Sequence, residues 1–180
     1  GICGVAAEGE KRGEILWKTS EWNPAVIAPS PVYIGNGEIA FTAGYGAGGG
    51  KLKVYREGSG FTARVIEAHS PREGMASEQQ TPIVYGEYLW TIHPKDAGEM
   101  RMQLACYHVS DLTNPVWASG KENRFGLGPF IVINDKMLLA NDEAELFLFD
   151  FGTNSVNMLD SHKVMEEGID SWGPFAYADG

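Results

Sequence analysis

Histidine and cysteine, the side chains that most readily bind metals or act as nucleophiles, are scarce in this sequence. They are His69, His93, His108 and His162, with Cys3 and Cys106. Cys106 and His108 are two positions apart, so a strand would place both on one face, as two neighbouring zinc ligands would be. Because no second pair has ligand spacing, we expect a buried thiol beside a hydrogen-bonded histidine. Two cysteines can form at most one disulfide.

A glycine-rich segment, Gly44–Lys51, contains the spacing Gly-x-Gly-x-x-Gly and ends in Gly-Lys, as nucleotide-phosphate loops do. Such loops hold phosphate at the N-terminus of a following helix, and the P-loop type needs Ser or Thr after the Lys to bind magnesium. The residues that follow, Lys51–Tyr55, alternate as in a strand and contain neither Ser nor Thr. The segment therefore predicts a glycine hairpin between two strands.

Acidic residues and hydroxyls give no defined catalytic set. Asn141–Glu145 gathers oxygen ligands suited to calcium, but it lacks the central glycine of a calcium loop and favours a hairpin turn. No Gly-x-Ser-x-Gly nucleophile motif is present, and Ser59 lies in a Gly-Ser-Gly turn. The carboxylates of Glu166 and Glu167 cannot be placed relative to other groups. The catalytic residues stay unknown, and no cofactor or metal ligand is assigned.

Charge and hydropathy exclude two classes of function. Lys and Arg number 14 against 24 Asp and Glu, a net charge of −10, which speaks against nucleic acid because phosphate binding needs a basic face. No run approaches the roughly 18 apolar residues of a membrane helix, and the longest, Leu127–Ile133, is interrupted by Gly128 and Pro129.

The leading Gly1, without an initiator Met or a signal peptide, indicates a cleaved tag or excision from a longer chain.

The elements that would position these residues are short strands. Of 180 residues, 23 are glycine, about twice the usual share, and apolar runs of four to eight residues end at Gly, Pro, Asn or Asp, the strand pattern. The predicted strands are Pro31–Ile34, Ile39–Thr42, Lys51–Tyr55, Ala63–Ile66, Pro82–Tyr85, Tyr88–Ile92, Leu104–Val109, Phe130–Ile133, Met137–Ala140 and Leu146–Phe151. We expect one all-β domain.

A strand signal that begins with proline recurs along the chain. A small or turn residue, then Pro, then an apolar run ending in a turn begins at Ser30, Thr81, Gly128 and Gly173. The prolines, Pro31, Pro82, Pro129 and Pro174, are therefore about 45 to 51 residues apart, and about four strands follow each of the first three. Four short strands in 40–50 residues is the period of a β-propeller blade. A β-sandwich or barrel of short strands is the alternative.

A second repeat lies in register with the prolines. Ala7, Gly13 and Trp17 have the spacing Ala-x5-Gly-x3-Trp, and decayed copies end at Arg64, Trp117 and Met158. In this pattern the chain resembles the PQQ-like (quinoprotein) propeller family, whose blades carry Ala-x-Asp-x-x-Thr-Gly-x-x-x-Trp across their outer strands. The resemblance implies that the Trp docks neighbouring blades and that Ser59-Gly60 forms a turn between outer strands, with glycine at positive φ.

The resemblance implies four-stranded antiparallel blades: a partial blade over 1–28, blades at about 29–80, 81–127 and 128–172, and a partial blade over 173–180. Three blades and two parts predict a fragment of a larger propeller. The family's dehydrogenases bind PQQ with calcium, a stacked Trp, a vicinal Cys-Cys disulfide and an Asp base, and this sequence has no Cys-Cys pair. Trp90 and Trp172 are equally good as axis-lining or core residues.

These patterns favour a non-catalytic repeat scaffold that binds a protein or glycan, with no cofactor. Tyr45, Trp90 and Phe125 are candidate contact aromatics, at the rim or the axis. The resemblance to envelope assembly factors implies a periplasmic or cell-surface location. The alternative is the catalytic propeller of a quinoprotein-type dehydrogenase or a sugar-active enzyme, for which PQQ and calcium would be the cofactors.

Overall fold

Short strands separated by turns make up this chain. A computed structural model describes residues 1–178, which form fourteen β-strands and one 3₁₀ turn, Gly98–Met100. The strands are β1 (Ile2–Val5), β2 (Ile15–Thr19), β3 (Val32–Gly35), β4 (Glu38–Ala43), β5 (Gly48–Glu57), β6 (Gly60–His69), β7 (Ile83–Tyr85), β8 (Tyr88–Ile92), β9 (Leu104–His108), β10 (Asp111–Ala118), β11 (Phe130–Ile133), β12 (Lys136–Ala140), β13 (Glu145–Phe151) and β14 (Val156–Lys163).

Within each sheet every strand pairs antiparallel with its neighbour in the sequence. Strands β1 and β2 form a hairpin, β3–β6 form sheet I, β7–β10 form sheet II and β11–β14 form sheet III. The prediction of an all-β chain built from four-stranded antiparallel sheets is confirmed. Each of the ten predicted strand segments overlaps an observed strand, and the structure adds β1, β2, β10 and β14.

Turn residues explain why the strands reverse where they do. Asn36 and Gly37 join β3 to β4 with φ of 53° and 76°, the left-handed pair that a two-residue hairpin needs. Gly13, in the turn between β1 and β2, has φ of 86° as expected. In the β5–β6 turn, however, the glycine at positive φ is Gly58, with φ of 58°, whereas Gly60 is the first paired residue of β6.

Apolar side chains fill the space between consecutive sheets. The β1–β2 hairpin packs on sheet I, sheet I on sheet II, and sheet II on sheet III. The third contact is the largest and is rich in aromatic rings; it contains Trp90, Ile92, Leu104, Cys106, Phe125, Phe130, Met137, Leu139, Phe149 and Phe151. Alternate residues of each strand supply this core because side chains on a strand point to opposite faces in turn.

The two repeats found in the sequence fall on fixed places in the sheets. Pro31, Pro82 and Pro129 each stand one residue before the first strand of a sheet, where the missing N–H disturbs no ladder. The fourth repeat differs, because residues 173–178 form no strand, and Asp179 and Gly180 lie outside the described residues.

The Trp-place residues of the second repeat, Trp17, Arg64, Trp117 and Met158, lie on β2, β6, β10 and β14, the last strand of the hairpin and of each sheet. Two of them pack between sheets as docking residues. Trp17 packs against the core between the hairpin and sheet I, and Trp117 against the core between sheets II and III. Arg64 is instead largely exposed and pairs with Glu21 at 3.2 Å, while Met158 is 54% exposed. The docking prediction therefore fits only the two places that retain the indole.

Strand pairing joins residues 1–178 into separate sheets and closes neither a barrel nor a ring. A complete propeller therefore stays a prediction. Across the same residues, no helix has both the length and the apolar character needed to span a bilayer.

Candidate functional site

Loops from all three sheets gather at one end of the stack. In each sheet the loop between the second and third strands and the segment that leaves the fourth strand lie at the same end, because antiparallel strands alternate in direction. These loops cover residues 44–47, 93–103 and 141–144, and the leaving segments cover 70–82, 119–129 and 164–178. We call this surface the loop end.

Specific hydrogen bonds hold the loop end together across sheet boundaries. The backbone N–H of Gly46, in sheet I, donates to Asp96 Oδ2 of sheet II at 2.6 Å. The Gln80 amide, in the segment between sheets I and II, donates to the Trp172 carbonyl at 3.0 Å. Asp142 Oδ1 accepts from the Leu127 N–H at 2.7 Å and from Trp172 Nε1 at 2.8 Å. The loops therefore form one connected surface.

Carboxylates dominate the electrostatics of this surface. Burial raises the pKa of the Glu78 carboxyl above its usual range, and the negative charge of Asp96 adds to that shift, while Lys95 opposes it and Asp142 adds a smaller increase. Glu78 approaches the backbone so closely that a Cβ on Gly44 would lie 2.1 Å from its Cγ. Glu78 therefore lies near two further acids and one lysine, and the excess of carboxylates gives the loop end an anionic character that a cation or a basic partner would complement.

Aromatic side chains are available on the loop end, among them Tyr45 and Trp172. Tyr45 is 71% exposed, and it lies in the loop between β4 and β5 at a φ of 57°. Trp172 is half-buried, and the Lys95 ammonium stands 5.6 Å from its ring centroid. A cavity of about 350 Å³ runs beside Trp172; its other lining residues are Gln79, Gln80, Thr81, Phe130, Ile131, Pro174 and Phe175, none of them charged.

A second polar cluster lies buried between sheets I and II. His93 Nε2 shares a 2.8 Å hydrogen bond with the Tyr107 hydroxyl, and both side chains are almost fully buried. Burial lowers the pKa of His93 to about 4, with a smaller contribution from the charge of His69. Burial also raises the pKa of Tyr107 above its usual range, so both groups are neutral near pH 7. Neutral, enclosed and paired, the two side chains link strands rather than act on a ligand.

A buried lysine, ion-paired within sheet I, joins the same two sheets. Lys51 Nζ lies 2.9 Å from Glu67 Oε2 on β6 and donates to the Ser110 carbonyl of sheet II at 3.0 Å. His69 contacts the same carboxylate through Nδ1 at 3.4 Å and the Met75 carbonyl through Nε2 at 2.9 Å. Lys51, the last residue of the glycine-rich segment, therefore stabilises a junction between sheets.

Cys106 and His108, the pair that the sequence indicated as possible metal ligands, differ in burial. Cys106 and His108 share a face of β9 as expected, but Cys106 is fully buried and burial raises the pKa of its thiol to about 12. His108 instead contacts the Ser110 hydroxyl at 2.7 Å through Nδ1. His162 is exposed on β14. Both thiols are free within residues 1–178, Cys3 at the surface and Cys106 in the core.

The two loop segments weighed for ligand binding are hairpins. Gly48 begins β5 directly after a short turn, which confirms the predicted glycine hairpin. Asn141 Oδ1 accepts the N–H groups of Glu143 and Glu145, each at 3.0 Å, which confirms the turn predicted there. Among residues 1–178, no group of three or more His, Cys, Asp or Glu side chains is arranged to hold a metal ion.

Of the three aromatics expected to contact a ligand, only Tyr45 is available. Trp90 is fully buried and Phe125 is 4% exposed, both in the core between sheets II and III. That part of the prediction is wrong because β8 and the segment before β11 direct these rings into the sheet contact. Trp172 was predicted only as an axis or core residue, and Glu78 and Asp96 were not predicted as site residues. The signal for both acids was their position in polar segments between predicted strands.

Comparison of the sequence with models of protein families and with curated proteins finds no match.

Proposed function

We propose that this chain is a non-catalytic repeat scaffold of the PQQ-like propeller type that binds a partner at the loop end. The repeat supports the family proposal: the four Trp-place residues lie on the last strands β2, β6, β10 and β14, where the family pattern expects them. A periplasmic or cell-surface location belongs to the same proposal and rests on the resemblance alone.

The observation that carries the binding role is the connected anionic loop end. Hydrogen bonds tie the loops of three sheets into one surface, so a ligand would meet a prearranged set of groups and pay little ordering entropy. Glu78, Asp96 and Asp142 supply negative charge there, and Tyr45 supplies an exposed ring. Basic segments of a protein complement this surface best.

The test replaces charge at the loop end and compares the result with the same change elsewhere. An oligolysine peptide serves as the probe. The double variant Glu78→Gln with Asp96→Asn should weaken its binding by about three- to tenfold, since each exposed ion pair is worth about 0.2–1 kcal/mol. The matched control, Glu8→Gln with Glu10→Gln, makes the same charge change in the β1–β2 turn at the opposite end. Equal losses of affinity from both double variants would show that net charge alone drives the binding, and would refute the loop-end site.

A glycan is the second candidate ligand, and the uncharged cavity beside Trp172 favours it. Aromatic rings with amide and hydroxyl groups, as at Phe175, Gln79 and Thr81, suit sugar faces and hydroxyls. Titration with maltohexaose or chitohexaose should change the tryptophan fluorescence of the protein. Trp172→Phe should remove that change, whereas Trp22→Phe, away from the cavity, should retain it. No fluorescence change with either sugar, or loss with both variants, counts against the glycan.

The dehydrogenase alternative has a direct test. PQQ and calcium together should raise the Tm of a quinoprotein and leave that of a scaffold unchanged. We expect no change, and a rise of several degrees would overturn the non-catalytic proposal.

A further inference from the structure

A groove opens between the last strands of sheets II and III, and we call it the β10–β14 groove. One wall is the end of β10 with the segment that follows it, and the other is the face of β14 that turns toward sheet II. The groove holds a cavity of about 160 Å³ with an apolar lining from Trp117, Phe125, Phe149, Val156 and Met158. Because residues of both sheets form it, the cavity belongs to a contact inside the stack of sheets.

The apolar lining of the groove is accessible from outside. Phe149 is 4% exposed, whereas Met158, the residue of β14 that opposes it, is 54% exposed. Ser119 and Asn123 stand on the other wall, where the Ser119 hydroxyl donates to the Asn123 carbonyl at 2.6 Å and the Asn123 amide donates to the Ser119 carbonyl at 3.0 Å. These two side chains close a turn on their own wall and leave the space above Met158 open.

The contact between the hairpin and sheet I shows how the chain closes the same place elsewhere. There Glu21, in the segment after β2, accepts the N–H of Val65 on β6 at 2.7 Å. Val65 opposes Leu52 and directly precedes a β-bulge, and Met158 likewise opposes Phe149 and directly precedes a bulge. Met158 is therefore the residue of sheet III that corresponds to Val65, and its N–H is the corresponding donor.

The carboxylate that closes the first contact has no counterpart at sheet III. Glu21 follows Trp17 by four residues, and the residue that follows Trp117 by four is Lys121. The Lys121 ammonium turns away from sheet III and pairs with Glu99 of the 3₁₀ turn at 2.9 Å. Within residues 1–178, none of the hydrogen bonds of the segment after β10 reaches β14. The corresponding place is therefore open to a group from outside the chain.

The wall that follows β10 is basic. Lys121 and Arg124 stand there against one acid, Glu122. The Arg124 guanidinium donates to the carbonyls of Lys121 and Arg101, and it forms no ion pair within residues 1–178. A positive charge without an acid partner beside the groove complements an acidic ligand, opposite in sign to the ligand that the carboxylates around Lys95 favour.

We propose that the β10–β14 groove binds an extended acidic segment of a partner protein. A carboxylate of the segment accepts the Met158 N–H, as Glu21 accepts that of Val65. A neighbouring apolar side chain enters the cavity, which suits a phenyl ring because a protein cavity of about 150 Å³ holds benzene. An aromatic anchor in a pocket is the usual centre of such an interface. This inference is separate from binding at Glu78 and Asp96.

Methionine-methyl NMR tests the ligand chemistry, because Met158 lines the cavity and Met158→Leu identifies its signal. The probe is the peptide Ser-Glu-Phe-Ser, acetylated and amidated at its ends, and it should shift the Met158 methyl signal saturably. Gln in place of Glu in the peptide should weaken binding about threefold, because the charge-assisted bond to the backbone is lost. Ala in place of Phe should weaken it roughly tenfold or more, because the ring no longer fills the cavity. No saturable shift at millimolar peptide, or equal affinity for the three peptides, would overturn the proposal.

Variants that fill the cavity test its place. Val156→Phe, from the β14 wall, should weaken binding of the same peptide roughly tenfold or more, because the new ring occupies the space that the peptide needs. Asn123→Trp does the same from the opposite wall, at an exposed position where folding does not depend on the side chain. The matched control is Asn157→Phe, which opposes Asp150 on the other face of β14 and should bind the peptide as the native protein does. Undiminished binding by Asn123→Trp, or an equal loss in Asn157→Phe, would refute the site.

Discussion

Trp117 is the docking residue whose removal tests the packing of neighbouring sheets. Its indole lies at the edge of the core between sheets II and III, with its centroid 5.7 Å from that of Trp90, and it lines a cavity with Phe125, Phe149 and Val156. An indole buries about 200 Å² when fully enclosed. At about 25 cal/mol per Å², half of that area corresponds to about 2–3 kcal/mol. We therefore expect Trp117→Ala to lower the free energy of unfolding by that amount.

The assay is urea unfolding, with thermal unfolding as a second measure. For a chain of this size, a loss of 1 kcal/mol lowers Tm by about 2–4 °C, so Trp117→Ala should lower Tm by about 4–12 °C. The control is Met158→Ala, at the equivalent place in the repeat but 54% exposed; it should cost less than about 1 kcal/mol. Equal losses from both variants, or a loss from Trp117→Ala below about 1 kcal/mol, would refute a docking role for the indole.

Three further predictions concern protonation, thiol access and close packing. Since burial lowers the pKa of His93 to about 4 from 6.5, the unfolded chain binds the proton more readily. Stability should therefore be complete above about pH 6.5 and fall by about 3 kcal/mol toward pH 4; an equally steep fall in His93→Gln, followed by urea unfolding at each pH, would contradict this. A maleimide should label Cys3 in the native protein and Cys106 only after unfolding, as counted by mass spectrometry, and two labels on the native protein would contradict the burial. Gly128→Ala, whose Cβ would lie 1.8 Å from a carbonyl oxygen at the end of β12, should cost about 1–3 kcal/mol. Gly173→Ala, with open space around it, should be neutral in the same urea assay, and equal costs would refute the close approach.

The sequence predicted the inner strands well because their apolar pattern reflects burial. Tyr88–Ile92 and Phe130–Ile133 were predicted with the observed bounds. The first lies inside sheet II, and the second, although the first strand of sheet III, carries Phe130 of the core. The last strands β10 and β14 were not predicted because at least half of the residues in each are exposed and need not be apolar. Pro115 within β10 also reads as a strand breaker, yet an edge strand tolerates it.

The candidate site was harder to predict than the sheets. Trp90 and Phe125 carry the same ring chemistry whether they lie in a core or on a surface, and only their packing against sheet III distinguishes the two. Asp96 acquires its role from a hydrogen bond to Gly46, fifty residues away in the chain. Contacts of that range depend on how sheets stack, which spacing within one strand does not encode.

The order of the strands affects how the protein folds and how whole sheets can be added to it or removed from it. Every hydrogen-bonded strand pair joins neighbours in the sequence, and every packed pair of sheets is also consecutive. Pairing between strands that are neighbours in the sequence allows each hairpin to form before it docks on the next sheet. In a linear array a unit depends only on the units beside it. Duplication or deletion of about one sheet, cut within residues 70–82 or 119–129, should therefore change the length of the array and leave its remaining sheets intact.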